Sequence, residues 1–558
     1  MLLTDVPIIG LITMSTQSIW LRNIFGGTLS FLDTLFSKVG MLMLGRRKKQ
    51  LFSFSSSILL IYAILLLLGT QKTRAEPPPL PLSQVGKWST PSLVFAPEYT
   101  VADQGFTIAA DSSGRLHVFF SYVALDENGY PLPEYPYNTI LYTYSDDGVQ
   151  WSEPVDIFIP DVPKRWQGAG IDVAIDSVGN IHLVFGGGPN GGGALKYAKA
   201  HVSVASNAQS WQEPKSGDWG MSVTKAAILV DQTDKVHIVY SSRPGDVYYR
   251  YSVDHGNTWS PDSRISDIDP NRSVPDDVAI AVDTRGRIHV AWSENEMPGG
   301  YPPLGVFYAY SDDGGQTWNT PKRIGDQYAS RPAIAVRKPN EVHLVWGSSA
   351  QDKGRYAAAS FDGGESWTEP QQVGVPGSVG GDTGLTVNPE QLVVDSAGTL
   401  HWFMASDFAD VYARREPGGQ WSRPIVVTLP SAPGWTKDPH FSGNKPVIVA
   451  GNQLHLIVRE GARKQQNEHD RYWHTMMVVD APALPLEPVP TVTPTLTSTV
   501  ERTNTPKATP LPKPIATREP NISENPNEVS SPALPIIIGI LPVTLLVLAV
   551  VGYWFTKR

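Results

Sequence analysis

The chain has 558 residues, of which 41% are hydrophobic and 18% are charged, so it can bury a large core. Its formal net charge of −9 gives no reason to expect a nucleic-acid partner, and we expect none. The absence of cysteine excludes disulfides and thiolate metal ligands, and we expect neither a metal nor another cofactor.

The N-terminal extension, residues 1–75, ends in the pattern of a secretory signal. Four basic residues at 46–49 precede an apolar run over about 51–69, and the tripeptide Thr73-Arg74-Ala75 follows where a small-residue cleavage site would lie. We therefore expect residues 76–480, the segment that comes next, to be exported from the cell.

The C-terminal part predicts a tether to a membrane. Residues 481–532 are rich in Pro and Thr, which is typical of a disordered stalk. Residues 533–555 carry no charge over a length that can span a bilayer, and 556–558 form a short, positively charged tail. These features predict a single-pass protein of a bacterial cell membrane, with its main domain outside and its tail in the cytoplasm.

Seven related phrases recur through residues 76–480 at a spacing near 55 residues. Each has an apolar run, a turn rich in Asp, Gly and Asn, and an alternating run, which together predict a β-hairpin. The histidine of each alternating run holds an equivalent position, in the order His117, His182, His237, His289, His343, His401 and His455. Because each belongs to a different hairpin, we expect structural hydrogen bonding rather than a shared metal.

A second phrase, Trp followed by Pro two or three residues later, predicts an outer strand after each of six hairpins. The seventh hairpin lacks this strand, but Trp88-Ser-Thr-Pro precedes the first hairpin. We therefore predict an all-β fold, a β-propeller of seven blades with four antiparallel strands each, in which the N-terminal strand completes the last blade. Six blades is the alternative, if a degenerate unit around 201–214 or 411–424 is an insertion.

A third phrase lies between the predicted third and fourth strands: SVDHGNTW (252–259), SDDGGQTW (311–318) and SFDGGESW (360–367). Its Ser and Asp can accept backbone N–H groups, its Gly supplies positive φ, and its Trp can pack between sheets. We assign a structural role to Ser252, Asp254, Gly256, Trp259, Ser311, Asp313, Gly315, Trp318, Ser360, Asp362, Gly364 and Trp367. A calcium loop is disfavoured because the spaced oxygen ligands of such a loop are missing.

This octet, repeated in a propeller, resembles the Asp-box (BNR) repeat of the sialidase superfamily. The resemblance covers essentially all of residues 84–480 and implies the propeller fold. Sialidases carry an Arg-Ile-Pro motif and use three arginines, a Tyr–Glu pair and an Asp acid/base. No Arg-Ile-Pro occurs in this chain, so no catalytic residue can be assigned from the motif.

Candidate site residues can still be chosen by position, because the face opposite the Asp boxes collects residues just before each first strand and just after each second strand. These positions hold Lys164, Arg165, Trp166, Asp172, Lys225, Arg243, Asp276, Asp277, Glu294, Glu296, Arg331, Asp407, Asp438, His440, Arg459 and Glu460. Asp277, Glu294 and Asp276 are the catalytic candidates. The substrate-binding candidates are Arg331, Arg243, Glu296, Trp166, Arg165 and Tyr328.

Carboxylates, arginines and aromatic rings suit a sugar. We predict a surface-anchored, monomeric propeller that binds carbohydrate or glycoconjugates, and that hydrolyses glycosides if it is an enzyme. In that case Asp277 or Glu294 would be the acid/base, and Arg331 and Arg243 would hold anionic groups. The alternative is a non-catalytic propeller that binds a glycan or protein at the cell surface.

Overall fold

A computed structural model describes residues 87–96, 100–125, 139–158, 170–186, 195–212, 223–242, 245–298, 302–348, 354–374, 390–405, 410–427, 429–430, 441–460 and 471–490. The predicted signal segment and the predicted membrane segment, 533–555, lie outside these residues. Within the described part of the chain, no helix is long and apolar enough to cross a membrane.

Seven antiparallel sheets, which we number as blades, follow one another along the chain. Blade 1 holds β2 (Thr100–Ala110), β3 (Leu116–Leu125), β4 (Thr139–Ser145) and β5 (Val155–Phe158). Blade 2 holds β6 (Ile171–Ile175), β7 (Asn180–Gly186) and β8 (Leu195–His201). Blade 3 holds β9 (Val223–Val230), β10 (Val236–Ser242), β11 (Val247–Ser252) and β12 (Ser263–Arg264).

The second half of the ring has the same strand order. Blade 4 holds β13 (Ser273–Val282), β14 (Ile288–Glu296), β15 (Pro303–Ser311) and β16 (Lys322–Gly325). Blade 5 holds β17 (Ala329–Lys338), β18 (Glu341–Ser348), β19 (Gly354–Ser360) and β20 (Gln371–Gly374). Blade 6 holds β21 (Gln391–Val394), β22 (Leu400–Ala405), β23 (Asp410–Arg415) and β24 (Ile425–Val426).

Blade 7 closes the ring with strands from both ends of the propeller. It holds β25 (Phe441–Val449), β26 (Gln453–Glu460) and β27 (Arg471–Val478), and β1 (Ser92–Phe95) pairs antiparallel with β27. The prediction of a seven-bladed all-β propeller closed by its N-terminal strand is therefore confirmed, and the six-bladed alternative is wrong. Units 201–214 and 411–424 belong to blades 2 and 6, since β8 and β23 are regular third strands.

The first strand of each blade is innermost, and each contacts the first strand of the next blade around the whole ring. The core lies between adjacent sheets. One cluster joins Tyr249 and Val239 of blade 3 to Val290 and Trp292 of blade 4, and all four side chains are buried. β-branched and aromatic residues form these strands because both of their faces are covered by neighbouring blades.

Blade 2 departs from the common pattern after its third strand. A short 3₁₀ helix, Ala208–Ser210, stands where most other blades carry an Asp box. Trp211 keeps its inward position, with its indole N–H donating to the carbonyl of Ala205 at 2.9 Å. The aromatic contact between blades is thus retained after the carboxylate of the turn has been lost.

Residues 481–490, which composition assigns to the stalk, run extended along the hairpin turns of blades 7, 1 and 2. The backbone N–H of Leu484 donates to the carbonyl of Ala450 at 2.8 Å, and that of Glu487 donates to Ser112 at 2.8 Å. Val489 packs against the core cluster that blades 1 and 2 share. The described part of this segment therefore lies against the propeller.

Candidate functional site

The Asp-box carboxylates are used within their own turns. Asp254 accepts the backbone N–H of Thr258 at 2.8 Å and its hydroxyl at 2.6 Å, while Ser252 donates its hydroxyl to Asp254 at 2.7 Å. Ser252 Oγ also accepts the N–H of Gly256 at 2.8 Å. The donors on Thr258 hold the pKa of Asp254 well below its usual range. The same bonds form around Asp313 and Asp362.

The glycine and tryptophan of each Asp box contact a tyrosine of the preceding blade. A Cβ on Gly364 would lie 1.8 Å from Tyr308 Oη, so only glycine fits there. The Trp367 ring stands edge-on to Tyr308 with centroids 4.8 Å apart. Gly256 with Trp259 meets Tyr197, and Gly315 with Trp318 meets Tyr249, in the same way.

The hairpin histidines bond within their own blades. His182 Nδ1 lies 2.8 Å from Tyr197 Oη, and its Nε2 lies 3.1 Å from Asp176 Oδ2. Equivalent His–Tyr contacts form in blades 1, 3, 4 and 6, while in blade 7 His474 replaces the tyrosine. Among the described residues, no group of His, Asp and Glu side chains could hold a metal ion.

The opposite end of the ring differs in chemistry. On the first strand of each blade, one residue pairs with the hairpin histidine. We define the outer channel layer as the set of residues that lie four positions before this paired residue, one from each blade. Its described members are Gly105, Gly170, Lys225, Asp277, Arg331 and Gly443. The members on blades 7, 1 and 2 are glycines, and those on blades 3, 4 and 5 are a cation, an anion and a cation in succession.

Lys225 and Asp277 approach each other across the boundary between blades 3 and 4. Lys225 Nζ lies 3.9 Å from Asp277 Oδ1. A Cβ on Gly170 would lie 3.7 Å from Lys225 Cδ, so the glycine of blade 2 leaves room for the lysine stem. Sequence position had selected both charged residues, and the structure brings them together.

Arg331 occupies a strained position one blade further along. Its φ is +58°, that of Tyr328 is +74°, and both values are rare for residues with a Cβ. Several buried polar atoms of the described residues have no hydrogen-bond partner, and three of them, Arg331 Nη1, Ser330 Oγ and Ser293 Oγ, lie on blades 4 and 5. Because buried polar groups are nearly always paired, these three atoms mark a place where a water or ligand can bind.

Glu294 is held away from the outer channel layer. It lies on the second strand of blade 4, where Ser273 donates a hydroxyl to it at 2.9 Å and Trp292 donates an indole N–H at 3.1 Å. Trp292 belongs to the core between blades 3 and 4, and Glu294 is 9% exposed. Burial raises the pKa of Glu294, and these two donors offset only part of that rise.

The remaining described candidates fall into separate environments. Asp276 accepts the side-chain N–H of Asn295 at 3.0 Å, and Glu296 is exposed at the end of β14. Arg459 and Glu460 end the second strand of blade 7, where Glu460 accepts the indole N–H of Trp473 at 2.8 Å. Other candidates lie outside the described residues: Lys164, Arg165, Trp166, Arg243, Asp407, Asp438 and His440.

A second, inner channel layer lies two residues closer to the hairpin turns. It consists of Thr107, Asp172, Ala227, Ala279, Ala333, Gln391 and Lys445. Thr107 donates its hydroxyl to Asp172 at 3.3 Å, and the N–H of Ile228 donates to Asp172 at 3.0 Å. Burial raises the pKa of Asp172 and lowers that of Lys445.

Sequence reasoning named Asp172 but missed Thr107 and Lys445. Both lie inside first strands, whereas the candidates were sought at strand ends. Thr107 and Lys445, like Asp172, each lie two positions before the first-strand residue that pairs with the hairpin histidine. This constant spacing is the sequence signal that could have found both.

Residues 199–401 match the family model described as a BNR repeat-like domain. No curated protein matches the sequence. Three solved structures illustrate the similarity in fold. The BP39L lectin of Burkholderia pseudomallei is 14% identical, the match covering 69% of this chain and 99% of the lectin, with a TM-score of 0.48.

The NanB sialidase of Streptococcus pneumoniae is 12% identical, with 72% of each chain covered and a TM-score of 0.39. The α-L-arabinanase of Penicillium chrysogenum is 12% identical, with 70% of this chain and 98% of that chain covered and a TM-score of 0.40. The family match over residues 199–401, together with the Asp-box turns and the seven sheets, shows a β-propeller that contains BNR-like repeats.

Proposed function

We propose that the propeller binds a glycan at the end of its channel opposite the Asp-box turns. The observation that carries this proposal is Arg331, whose buried Nη1 has no partner among the described residues and whose backbone is strained. Strain and an unused buried donor both cost stability, and they cluster at binding sites where a ligand offsets that cost.

The neighbours of Arg331 suit a carbohydrate. A guanidinium can hold a carboxylate or a pair of hydroxyls through two parallel hydrogen bonds. The adjacent Lys225–Asp277 pair offers further polar contacts, and Tyr328 lies directly before β17, the strand of Arg331. We extend the proposal to Arg165, Trp166 and Arg243, which lie outside the described residues.

Hydrolysis of a glycoside is the second candidate, and the raised pKa of Glu294 favours it. Burial favours the protonated form of a carboxyl, and a protonated carboxyl can serve as a general acid. Asp277 or Asp276 would then be the second carboxylate of the pair. Binding without turnover ranks first because both Glu294 oxygens already accept hydrogen bonds and the side chain is 9% exposed.

A glycan array, followed by fluorogenic glycosides led by a sialoside, tests both functions on the purified chain. The proposal predicts binding to at least one glycan class, and loss of that binding in Arg331→Ala. Turnover abolished by Glu294→Gln would establish the hydrolase. If no glycan binds, the proposal is wrong, and a protein partner becomes the function to pursue.

We also propose that the propeller acts outside the cell, exported by the signal within 1–75 and tethered by 533–555. The basic-then-apolar pattern of the first segment and the uncharged length of the second support this. Protease treatment of intact cells tests it. Cleavage of the propeller without lysis is the expected result, and protection until lysis would contradict the proposal.

A further inference from the structure

Each channel layer contains a cationic side chain with a donor that no described residue accepts. Both Asp172 oxygens accept hydrogen bonds, one from Thr107 and one from the backbone of Ile228. Lys445 forms no hydrogen bond and no ion pair with any described residue, although it shares the inner channel layer with Asp172. Arg331 likewise has a donor without a partner among the described residues. The site therefore offers unpaired cationic donors.

Lys445 meets charges from blades that are not its neighbours. Its ammonium on blade 7 interacts electrostatically with Asp172 on blade 2 and with Lys225 on blade 3. Blade 1 separates blades 7 and 2 along the ring, so these side chains can meet only across the channel. Two lysines from distant blades thus share one enclosed space.

The rest of the inner channel layer leaves space beside this charge. Ala227, Ala279 and Ala333 occupy it on blades 3, 4 and 5, where the outer layer carries its three charged side chains. Lys445, Ala227 and Ala279 are each partly exposed. A ligand group that passes Arg331 therefore finds small side chains on one side and the Lys445 ammonium on the other.

We infer that Lys445 selects a negatively charged ligand. The glycan enters the channel end-on, and its leading group is an anion that Lys445 binds. This inference rests on the proposed function, since it assigns a ligand class to the same site. The required chemistry is a carboxylate or sulfate, carried by the glycan or supplied as a free inorganic anion. A charge-assisted hydrogen bond is stronger than one between neutral groups.

Two probes distinguish these sources: inorganic sulfate, and an oligosaccharide ending in a uronic acid beside its neutral, carboxyl-reduced counterpart. Lys445→Met is compared with Lys338→Met, which removes an exposed lysine from the far end of β17. We expect Lys445→Met to weaken binding of the acidic oligosaccharide about ten- to a hundredfold, to leave the neutral one unchanged, and to abolish any thermal shift by sulfate. Lys338→Met should change none of these.

Equal weakening for both oligosaccharides, or unchanged binding of the acidic one, would overturn the inference and leave the proposed function intact. Sulfate binding that depends on Lys445, with no glycan bound by the wild type, would overturn the proposed function and keep the anion site. If Lys445→Met does not fold, Lys445→Arg provides the test. It keeps the positive charge, so it should retain the preference for the acidic oligosaccharide.

Discussion

The two ends of the propeller differ in the hydrogen bonding of their polar side chains. At the Asp-box end, Asp254 accepts hydrogen bonds within its own turn and His182 bonds on both ring nitrogens. At the other end, Arg331 and Lys445 have donors that no described residue accepts. Saturated polar groups stabilise a fold, whereas unsaturated ones are available to a ligand. The contrast is one of degree, because His289 Nε2, His343 Nδ1 and Trp367 Nε1 at the Asp-box end also lack a partner among the described residues.

Acid should damage the Asp-box end most. Burial lowers the pKa of His289, His343 and His455 to about 4 and that of His474 to about 3. The folded state keeps these rings neutral, while the unfolded chain takes up protons below about pH 6.5. Stability should therefore fall by several kcal/mol from about pH 6.5 to 4, because each pKa unit corresponds to about 1.4 kcal/mol per group. Denaturant unfolding at stepped pH measures this, and a flat profile would refute it.

The contact between an Asp-box glycine and the preceding blade predicts the next largest effect. Gly364→Ala places a Cβ against Tyr308, and Gly286→Ala places one in open space, while both glycines have positive φ. Both variants incur backbone strain, so their difference isolates the contact. We expect Gly364→Ala to cost about 1–3 kcal/mol more in unfolding free energy than Gly286→Ala. Equal losses would mean that the blade contact contributes nothing.

Removing one Asp-box carboxylate should cost less. Asp313→Ala deprives the N–H of Thr317, at 2.9 Å, and the hydroxyl of Ser311, at 2.8 Å, of their acceptor. We expect a loss of about 1–2 kcal/mol, since water can replace part of the acceptor at this exposed turn. Glycan affinity should stay at the wild-type value. A large loss of affinity at unchanged stability would contradict the structural role of this end.

Glu294→Gln should give the smallest change, in the opposite direction. Burial raises the pKa of this acid, so its ionisation destabilises the folded state at neutral pH. Glutamine can accept from Trp292 and donate to Ser273 without a charge. We expect a small stability gain at neutral pH that disappears below about pH 4, where the carboxyl is protonated in both states. A loss of stability at neutral pH would show that the carboxylate is needed in the fold.

The fold could be predicted from sequence because its unit recurs seven times, and because Trp88-Ser-Thr-Pro supplies the strand that blade 7 lacks. Asp277, Arg331 and Lys225 could be found because each comes shortly before the apolar run of a first strand. Lys445 was missed because its layer depends on the register of β25 with β26. Glu294 looked equivalent to Asp277, but strand alternation turns it toward Trp292.

The packing of residues 481–490 shows a further limit of composition. Proline content assigned them to the stalk, yet Leu484, Leu486 and Val489 lie against the hairpin-turn glycines Gly451, Gly114 and Gly179. The apolar residues among the prolines carried that signal. Composition over a long window averages such a pattern away, whereas a contact depends on single positions.

The most direct test of the contrast between the two ends compares Arg331→Met with Lys338→Met. Both remove one cation from β17, the first at the channel end and the second at the hairpin-turn end. Calorimetric titration with a glycan identified on the array, together with thermal unfolding, gives affinity and stability for each variant. The account predicts that Arg331→Met loses about tenfold or more in affinity at unchanged or higher melting temperature, and that Lys338→Met keeps both values. Unchanged affinity in Arg331→Met, or an equal loss in both variants, would contradict it.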